Sequence, residues 1–145
     1  MIRPRRKAAL LCPPAVLAAA VFVLVASGTA AAMQRSAFPA KLVGTWTRTI
    51  TLADVKRSHG YENPAGTVCT LTIKHGGAAH LACTGVGAWD SKLVPAGSGR
   101  IHIGFGDPTP GVYRWHVSGR LLTLTKLSDR QPDRVGVLWG VWKRK

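Results

Sequence analysis

The chain has 145 residues, the length of one domain, and carries 20 Lys and Arg against 6 Asp and Glu, a net charge of +14. After residue 32 no run of basic residues is longer than three, and that run, Lys143 to Lys145, ends the chain, which argues against a nucleic-acid-binding tail. A field of this sign attracts anionic partners, although a merely solvated basic surface would have the same composition.

The first 32 residues have the order of a secretory signal peptide. A basic segment at residues 3–7 precedes 25 uncharged residues, Ala8 to Ala32, which end in small side chains. This order predicts export and cleavage after Ala32. The alternative is an uncleaved anchor, because the stretch is long enough to cross a bilayer of about 30 Å. Cys12 resembles a lipoprotein cysteine, but it precedes the apolar core, which argues against lipidation.

Cleavage would leave residues 33–145, in which 16 Lys and Arg face 6 Asp and Glu, a net charge of +10. We divide this part into a flexible leader over 33–41 and one domain over 42–145. We expect a secreted or cell-envelope protein without a membrane span, a monomer, whose anionic partner would be an envelope surface and not nucleic acid.

The domain begins with a strand predicted over Leu42 to Leu52. Its even positions are mostly apolar, and its odd positions from Thr45 to Thr51 are all threonine, as on a half-buried strand. A long loop over residues 53–66 follows, with one helical turn near residues 54–58.

The clearest hairpin joins strands over residues 67–74 and 78–84. Folding about Gly76 places Ile73 opposite Ala79, Leu71 opposite Leu81, and Cys69 opposite Cys83. Opposed cysteines in an exported domain favour a disulfide. A metal site with two thiolates is the alternative, but it lacks further ligands nearby.

Apolar and polar residues continue to alternate in short runs to the end of the chain. We predict strands over residues 89–94 and 100–105, a second hairpin of 112–117 with 120–127 about Ser118-Gly119, a polar loop over 128–134, and a last strand over 135–143. In the second hairpin Trp115 would face Leu122 and Tyr113 would face Leu124. Seven or eight short strands predict an all-β antiparallel barrel or sandwich.

The first and last strands share the pattern Gly-x-Trp-x-Arg. In each strand the three residues lie on one face. If the first and last strands are neighbours, they close a barrel whose end is filled by a tryptophan with an arginine over its ring. Gly would let the tryptophan pack closely. The residues of this structural closure are Gly44, Trp46, Arg48, Gly140, Trp142 and Arg144.

The opening segment Leu42-Val43-Gly44-Thr45-Trp46 resembles the Gly-x-Trp strand of lipocalins and other calycin barrels. The C-terminal half is similar to small secreted bacterial lipocalin-like proteins, through Tyr113-x-Trp115, Gly119-x-Leu121, Leu124, Asp129, Arg134, Leu138 and Gly140-x-Trp142. The resemblance implies an eight-stranded up-and-down barrel, usually with a cavity for a small apolar molecule. Gln131 stands where that group often has a cysteine.

Two families of this kind have a comparable opening strand. Avidins open similarly but need an Asn soon after the Trp, where this chain has Arg48, so biotin binding is not expected. Bacterial metalloprotease inhibitors have a short leader before Gly-x-Trp and one disulfide. Residues 34–41 and the cysteine strands are similar to those features, which makes a protein-binding inhibitor the alternative function.

Motifs for catalysis are sparse. The acidic residues sit mainly in loops, and the chain has no metalloprotease helix motif, nucleophile elbow or phosphate-binding glycine loop. We expect no enzyme activity, no metal and no cofactor. His80, His102 and His116 lie on the strand faces opposite the apolar residues, which predicts that they face solvent. The alternative is that one of them binds a haem or a metal ion.

The leading hypothesis is a non-enzymatic lipocalin-like barrel that binds a small apolar or amphipathic molecule. If the barrel is hollow, its aromatic and aliphatic inner wall would form the pocket. The alternatives are a protein-binding barrel, such as a protease inhibitor that acts through its leader and loops, and a surface protein with no pocket. The predicted ligand-binding residues are Trp46, Ile101, Ile103, Phe105, Tyr113, Trp115, Leu122 and Leu124.

Overall fold

A computed structural model of the chain describes residues 37–58 and 64–145. The predicted signal peptide and residues 33–36 of the predicted leader lie outside the described residues. The described elements are β1 (Gly44–Thr49), α1 (Leu52–Ser58), β2 (Val68–Ile73), β3 (Ala78–Cys83), β4 (Gly87–Lys92), β5 (Val94–Pro95), β6 (Arg100–Ile103), β7 (Gly111–Ser118), β8 (Leu121–Ser128), α2 (Pro132–Leu138) and β9 (Gly140–Arg144).

These strands form one antiparallel sheet in the order β4-β3-β2-β1-β9-β8-β7-β6-β5. The first and last strands are neighbours, as expected, with Trp46 opposite Arg144 and Thr47 opposite Lys143. The edge strands β4 and β5 follow each other in the chain and are separated only by Leu93. The sheet is therefore a nearly closed barrel, whose two edges meet at Leu93.

The described residues contain nine strands, where seven or eight were predicted. The extra strand arises because the segment predicted as one strand over residues 89–94 changes partner: β4 pairs with β3, and β5 pairs with β6. A single strand that is shared between both edges is what brings the barrel close to closure.

The barrel has two different ends. The helical end carries α1, α2, and the connections over residues 84–86 and 104–110. The turn end carries the 3₁₀ turn Ala40–Leu42, the short turn His75–Gly77, the connection over residues 96–99 and the turn between β7 and β8. Phe38 packs at the turn end, where a Cβ on Gly77 would lie 2.9 Å from its ring. The chain thus enters the barrel from the turn end.

The first hairpin confirms its predicted register. Cys69 lies opposite Cys83, Leu71 opposite Leu81, and Ile73 opposite Ala79. All six side chains are buried. Cys69 and Cys83 form the disulfide.

The predicted register of the second hairpin is wrong by two residues. Trp115 lies opposite Leu124, not Leu122, and Ser118 pairs with Leu121. The turn is therefore Gly119-Arg120 and not Ser118-Gly119, with Gly119 at a φ of +55° that favours glycine. A shift of two residues keeps each side chain on its predicted face.

The predicted last strand, residues 135–143, is also corrected, because its first part is helical. Pro132 occupies the first turn of α2, and residues 134–138 are all buried. Pro is favoured at the start of a helix. The helix covers one end of the barrel, and only Gly140–Arg144 continues as strand.

Where the barrel closes, each Gly-x-Trp-x-Arg segment places its arginine over the tryptophan of the other segment. Arg144 lies over Trp46, 4.4 Å from the ring centroid, and Arg48 lies over Trp142 at 5.7 Å. Each indole N–H donates to a carbonyl four residues earlier, Trp46 to Leu42 at 2.9 Å and Trp142 to Leu138 at 3.1 Å. The closure is therefore pseudo-symmetric about the β1–β9 pair.

The two glycines of these segments make room for arginine, not for tryptophan as we expected. A Cβ on Gly140 would lie 2.6 Å from Arg48 Cζ, and one on Gly44 would lie 3.5 Å from Arg144 Cζ. Arg48 also differs from Arg144 in its partners. It pairs with buried Asp54 at 2.6 Å and donates to the Val137 carbonyl at 2.9 Å.

Side chains fill the barrel interior. Trp46, Trp142 and Tyr113 are among the large side chains that are fully buried, together with Leu and Ile side chains of β2, β6 and β8. In the described part of the chain, these closely packed side chains occupy the space of the central ligand cup that the resemblance implied. Within residues 37–58 and 64–145, no helix has the length and apolar character needed to cross a membrane.

Candidate ligand site

The candidate site lies where the edge strands separate. At Leu93 the chain itself connects the two edges, and the Leu93 N–H, which donates to the Gly77 carbonyl at 2.8 Å, continues the pairing of β4 with β3. Away from Leu93, β4 stays paired with β3, with Trp89 opposite Leu81, and on the other side of the gap β6 ends at Ile103. The gap between these edges widens toward the helical end and has no strand to fill it.

A cavity of about 310 Å³ opens in this gap. Trp89 and Phe105 line it from the two separated edges, and Val86 lines it from the turn before β4. Gly106 lies beside the indole, since a Cβ there would be 3.8 Å from Trp89 Cδ1. The complete lining is Leu81, Val86, Trp89, Phe105, Gly106, Asp107, Gln131, Asp133, Arg134 and Val137.

One wall of the cavity is polar and is fixed by a buried ion pair. Arg134 Nε donates to Asp129 at 2.6 Å, and its Nη2 donates to the Thr109 carbonyl at 2.9 Å. Tyr113 donates its hydroxyl to the same Asp129 carboxylate at 2.5 Å. These bonds join β7, α2 and the loop after β6, so they hold the loop that carries Phe105 and Asp107 against the helix.

Gly111 is required for this cluster. A Cβ there would lie 2.5 Å from Asp129 Cγ, although the glycine has no positive φ. Any larger residue would displace the carboxylate that Arg134 and Tyr113 share.

The charge states follow from these contacts. Burial alone would raise the pKa of Asp129, but hydrogen bonds from Arg134 and Tyr113 outweigh it and hold the pKa below its usual value. Burial, and then the bond to Asp129, raise the pKa of Tyr113, so the phenol stays protonated. The Thr109 N–H and the Gln131 amide both donate to Asp107 and lower its pKa. Asp107 is therefore an ionised carboxylate at the cavity wall.

The structure gathers the eight predicted ligand-binding residues into the barrel interior. All of them are buried except Trp115, which is half-buried. Phe105 is the one member of the set that also borders the cavity. The central pocket that the prediction assumed is occupied by these same side chains, and the ligand-binding role of the other seven stays a prediction.

Sequence reasoning missed most of the cavity lining. The sequence predicts only that Trp89 begins a strand, and it singles out Arg134 and Asp129 through the family resemblance alone. The signal was present in α2: Pro132 followed by an acidic residue marks a helix start, and a helix there carries Arg134 inward.

The histidines on the strands face outward as predicted, and His80 contacts Asp90 at 2.8 Å on the outer face of β3 and β4. In the part of the chain that the structure describes, no group of three or more His, Cys, Asp or Glu side chains is placed to hold a metal ion. What the cavity offers is an apolar wall with aromatic side chains and an acidic polar wall, an arrangement suited to binding.

No protein-family model and no curated protein sequence matches this chain. Among solved structures, it is similar to the lipoprotein YedD from Klebsiella pneumoniae, with 14% sequence identity, a TM-score of 0.49 and coverage of 77% of each chain.

Proposed function

We propose that this chain is an exported, non-enzymatic, lipocalin-like β-barrel that binds a small amphipathic molecule in the lateral cavity between β4 and the loop after β6. It acts outside the cytoplasm of a bacterium, in the envelope or the medium. The predicted signal peptide supports export, and so does the Cys69–Cys83 disulfide, because such bonds persist in oxidising compartments.

The observation that carries this proposal is the opening between the two sheet edges. The central barrel is filled, yet at the gap an indole and a phenyl ring line a cavity of about 310 Å³. Small-molecule sites in proteins start at roughly this volume and combine apolar and aromatic walls with a few fixed polar groups. The lateral cavity has that composition, so the ligand would be small.

The charge of the polar wall favours a ligand with a cationic or hydrogen-bond-donating end. Asp107 is ionised, and Asp133 adds a second carboxylate at the cavity. The one cation in the lining, Arg134, is already paired with Asp129. A ligand amine would therefore meet net negative charge, whereas a ligand carboxylate would meet repulsion.

One pair of ligands and one pair of variants test the proposal. The neutral probe N-phenyl-1-naphthylamine should bind with enhanced fluorescence, and octylamine should displace it better than octanoate, which has the same chain length. Val86→Arg, which puts a charge into the apolar wall, should weaken probe binding on the order of tenfold. Val68→Arg is the matched control, because Val68 is also an exposed valine but lies outside the cavity.

Asp107→Asn should remove most of the preference for the amine without unfolding the protein. If the probe does not bind, or if the two valine variants weaken it equally, the lateral cavity is not the binding site. If octanoate displaces the probe as well as octylamine, the charge argument is wrong.

A further inference from the structure

Basic side chains crowd the turn end of the barrel. They stand at the start of β1, β6 and β8 and at the end of β2, β4 and β9, and the antiparallel topology brings all these positions to one end. All but one are exposed, and Arg144 is half-buried. We call them the basic rim: Lys41, Lys74, Lys92, Arg100, Arg120, Lys143, Arg144 and Lys145.

No acidic residue accompanies the basic rim within the described part of the chain. Asp54, Asp107, Asp129 and Asp133 all lie at the helical end. Asp90 lies midway along β4 and pairs with His80. The five described acidic residues therefore leave the rim uncompensated, and the charge of the barrel is polarised along its axis.

Part of the rim is held in a fixed arrangement. Arg120 Nη2 donates to the Arg144 carbonyl at 3.1 Å, and Arg144 Nη2 donates to the Lys41 carbonyl, also at 3.1 Å. These bonds fix the guanidinium groups of Arg120 and Arg144. Arg144 also borders a depression of about 370 Å³, whose lining is Lys41, Val117, Gly119 and Arg144. Fixed cations lose less entropy on meeting an anion than free ones do.

We infer that the basic rim docks the barrel end-on against an anionic membrane surface, through phospholipid headgroups. Apart from charge complementarity, one feature favours a membrane over a soluble polymer. Exposed Val94 and Leu121, 48% and 43% accessible, stand among the rim cations and suit the apolar boundary below the headgroups.

The test is cosedimentation with lipid vesicles, using protein purified in the form that its producing cell exports. The vesicles contain phosphatidylcholine alone or phosphatidylcholine with added phosphatidylglycerol. The rim variant is Lys74→Gln with Lys92→Gln. Its matched control is Lys56→Gln with Arg130→Gln, which removes the same charge from exposed positions at the helical end. Circular dichroism and tryptophan emission verify that both variants fold.

Binding should require phosphatidylglycerol and should weaken as salt is raised, because exposed charges are screened. Each cation lost near an anionic surface should weaken binding roughly 5-fold, so the rim variant should bind on the order of 30-fold more weakly, while the control variant binds like the wild type.

Three results would overturn the inference. Equal weakening in both variants would mean that net charge, not the rim, decides binding. Equal binding to neutral and anionic vesicles would mean that an apolar segment carries it. Binding to polyphosphate in solution without binding to anionic vesicles would assign the rim to an anionic polymer. The cavity experiments are independent of all three, since the cavity opens at the other end.

Discussion

The two arginines of the pseudo-symmetric closure should differ sharply in what they contribute to stability. Arg48→Met removes the partner of Asp54, whose side chain is 4% exposed, and leaves the Val137 carbonyl without its donor. Breaking a buried ion pair from one side costs about 3–5 kcal/mol. Arg57 still contacts Asp54 at 2.7 Å, so we expect the lower end, about 3 kcal/mol.

Arg144→Met removes a guanidinium with the same relation to its indole but, among the described residues, with no carboxylate partner. It loses one exposed hydrogen bond to the Lys41 carbonyl and the cation–π contact with Trp46. Together these should cost about 1–1.5 kcal/mol. The two variants should thus differ by about 2 kcal/mol, although the sequence around each arginine is nearly the same.

Urea unfolding followed by tryptophan fluorescence, with the disulfide intact, measures both free energies of unfolding. Burial would raise the pKa of Asp54, but hydrogen bonds from Thr51 and Arg48 outweigh burial and lower the pKa. The ionised Asp54 therefore stabilises the fold at neutral pH, and this stabilisation is lost as the pH falls through the lowered pKa. The loss of unfolding free energy caused by Arg48→Met should therefore become smaller below about pH 4. Adding Asp54→Asn should recover part of it at neutral pH. Equal costs for Arg48→Met and Arg144→Met would refute the reasoning.

Three further predictions concern stability. Replacing Cys69 and Cys83 by alanine should lower the free energy of unfolding by on the order of 3 kcal/mol in the same urea assay, since the closed loop has about 15 residues. Gly111→Ala should cost about 1–3 kcal/mol through overpacking, whereas Gly104→Ala, where the nearest atom would be 3.3 Å away, should cost less. Because the pKa of Asp129 is lowered, stability should fall as the pH drops below about 4, and Asp129→Asn should flatten that dependence in thermal scans.

Much of the fold could be predicted because strand periodicity and turn chemistry are local properties. Cys69, Leu71 and Ile73 alternate on one side of a glycine turn, and a single pivot fixes their partners. The neighbouring first and last strands were predicted from the repeated Gly-x-Trp-x-Arg. Patterns of this kind identify faces and pairs without knowledge of the rest of the sheet.

The site was harder to predict because it depends on where pairing stops. The segment around Trp89 was recognisable as extended, but nothing local shows that β4 and β5 have different partners. Likewise, Val135 and Val137 have strand propensity, and burial of the whole segment as a helix overrides it. A gap in a sheet is set by the competition among all strands, which a single sequence window does not contain.

The positions of the cavity and the basic rim at opposite ends have a common cause in the path of the chain around Leu93. That residue connects the two edges beside the His75–Gly77 turn, and at this end of the barrel the cations project from short connections. The gap must then widen toward the helical end, where the longer loop over residues 104–110 and α2 supply its polar wall. A barrel docked through the rim would hold the cavity at its far end, away from the membrane. Ligand exchange and docking would therefore not obstruct each other.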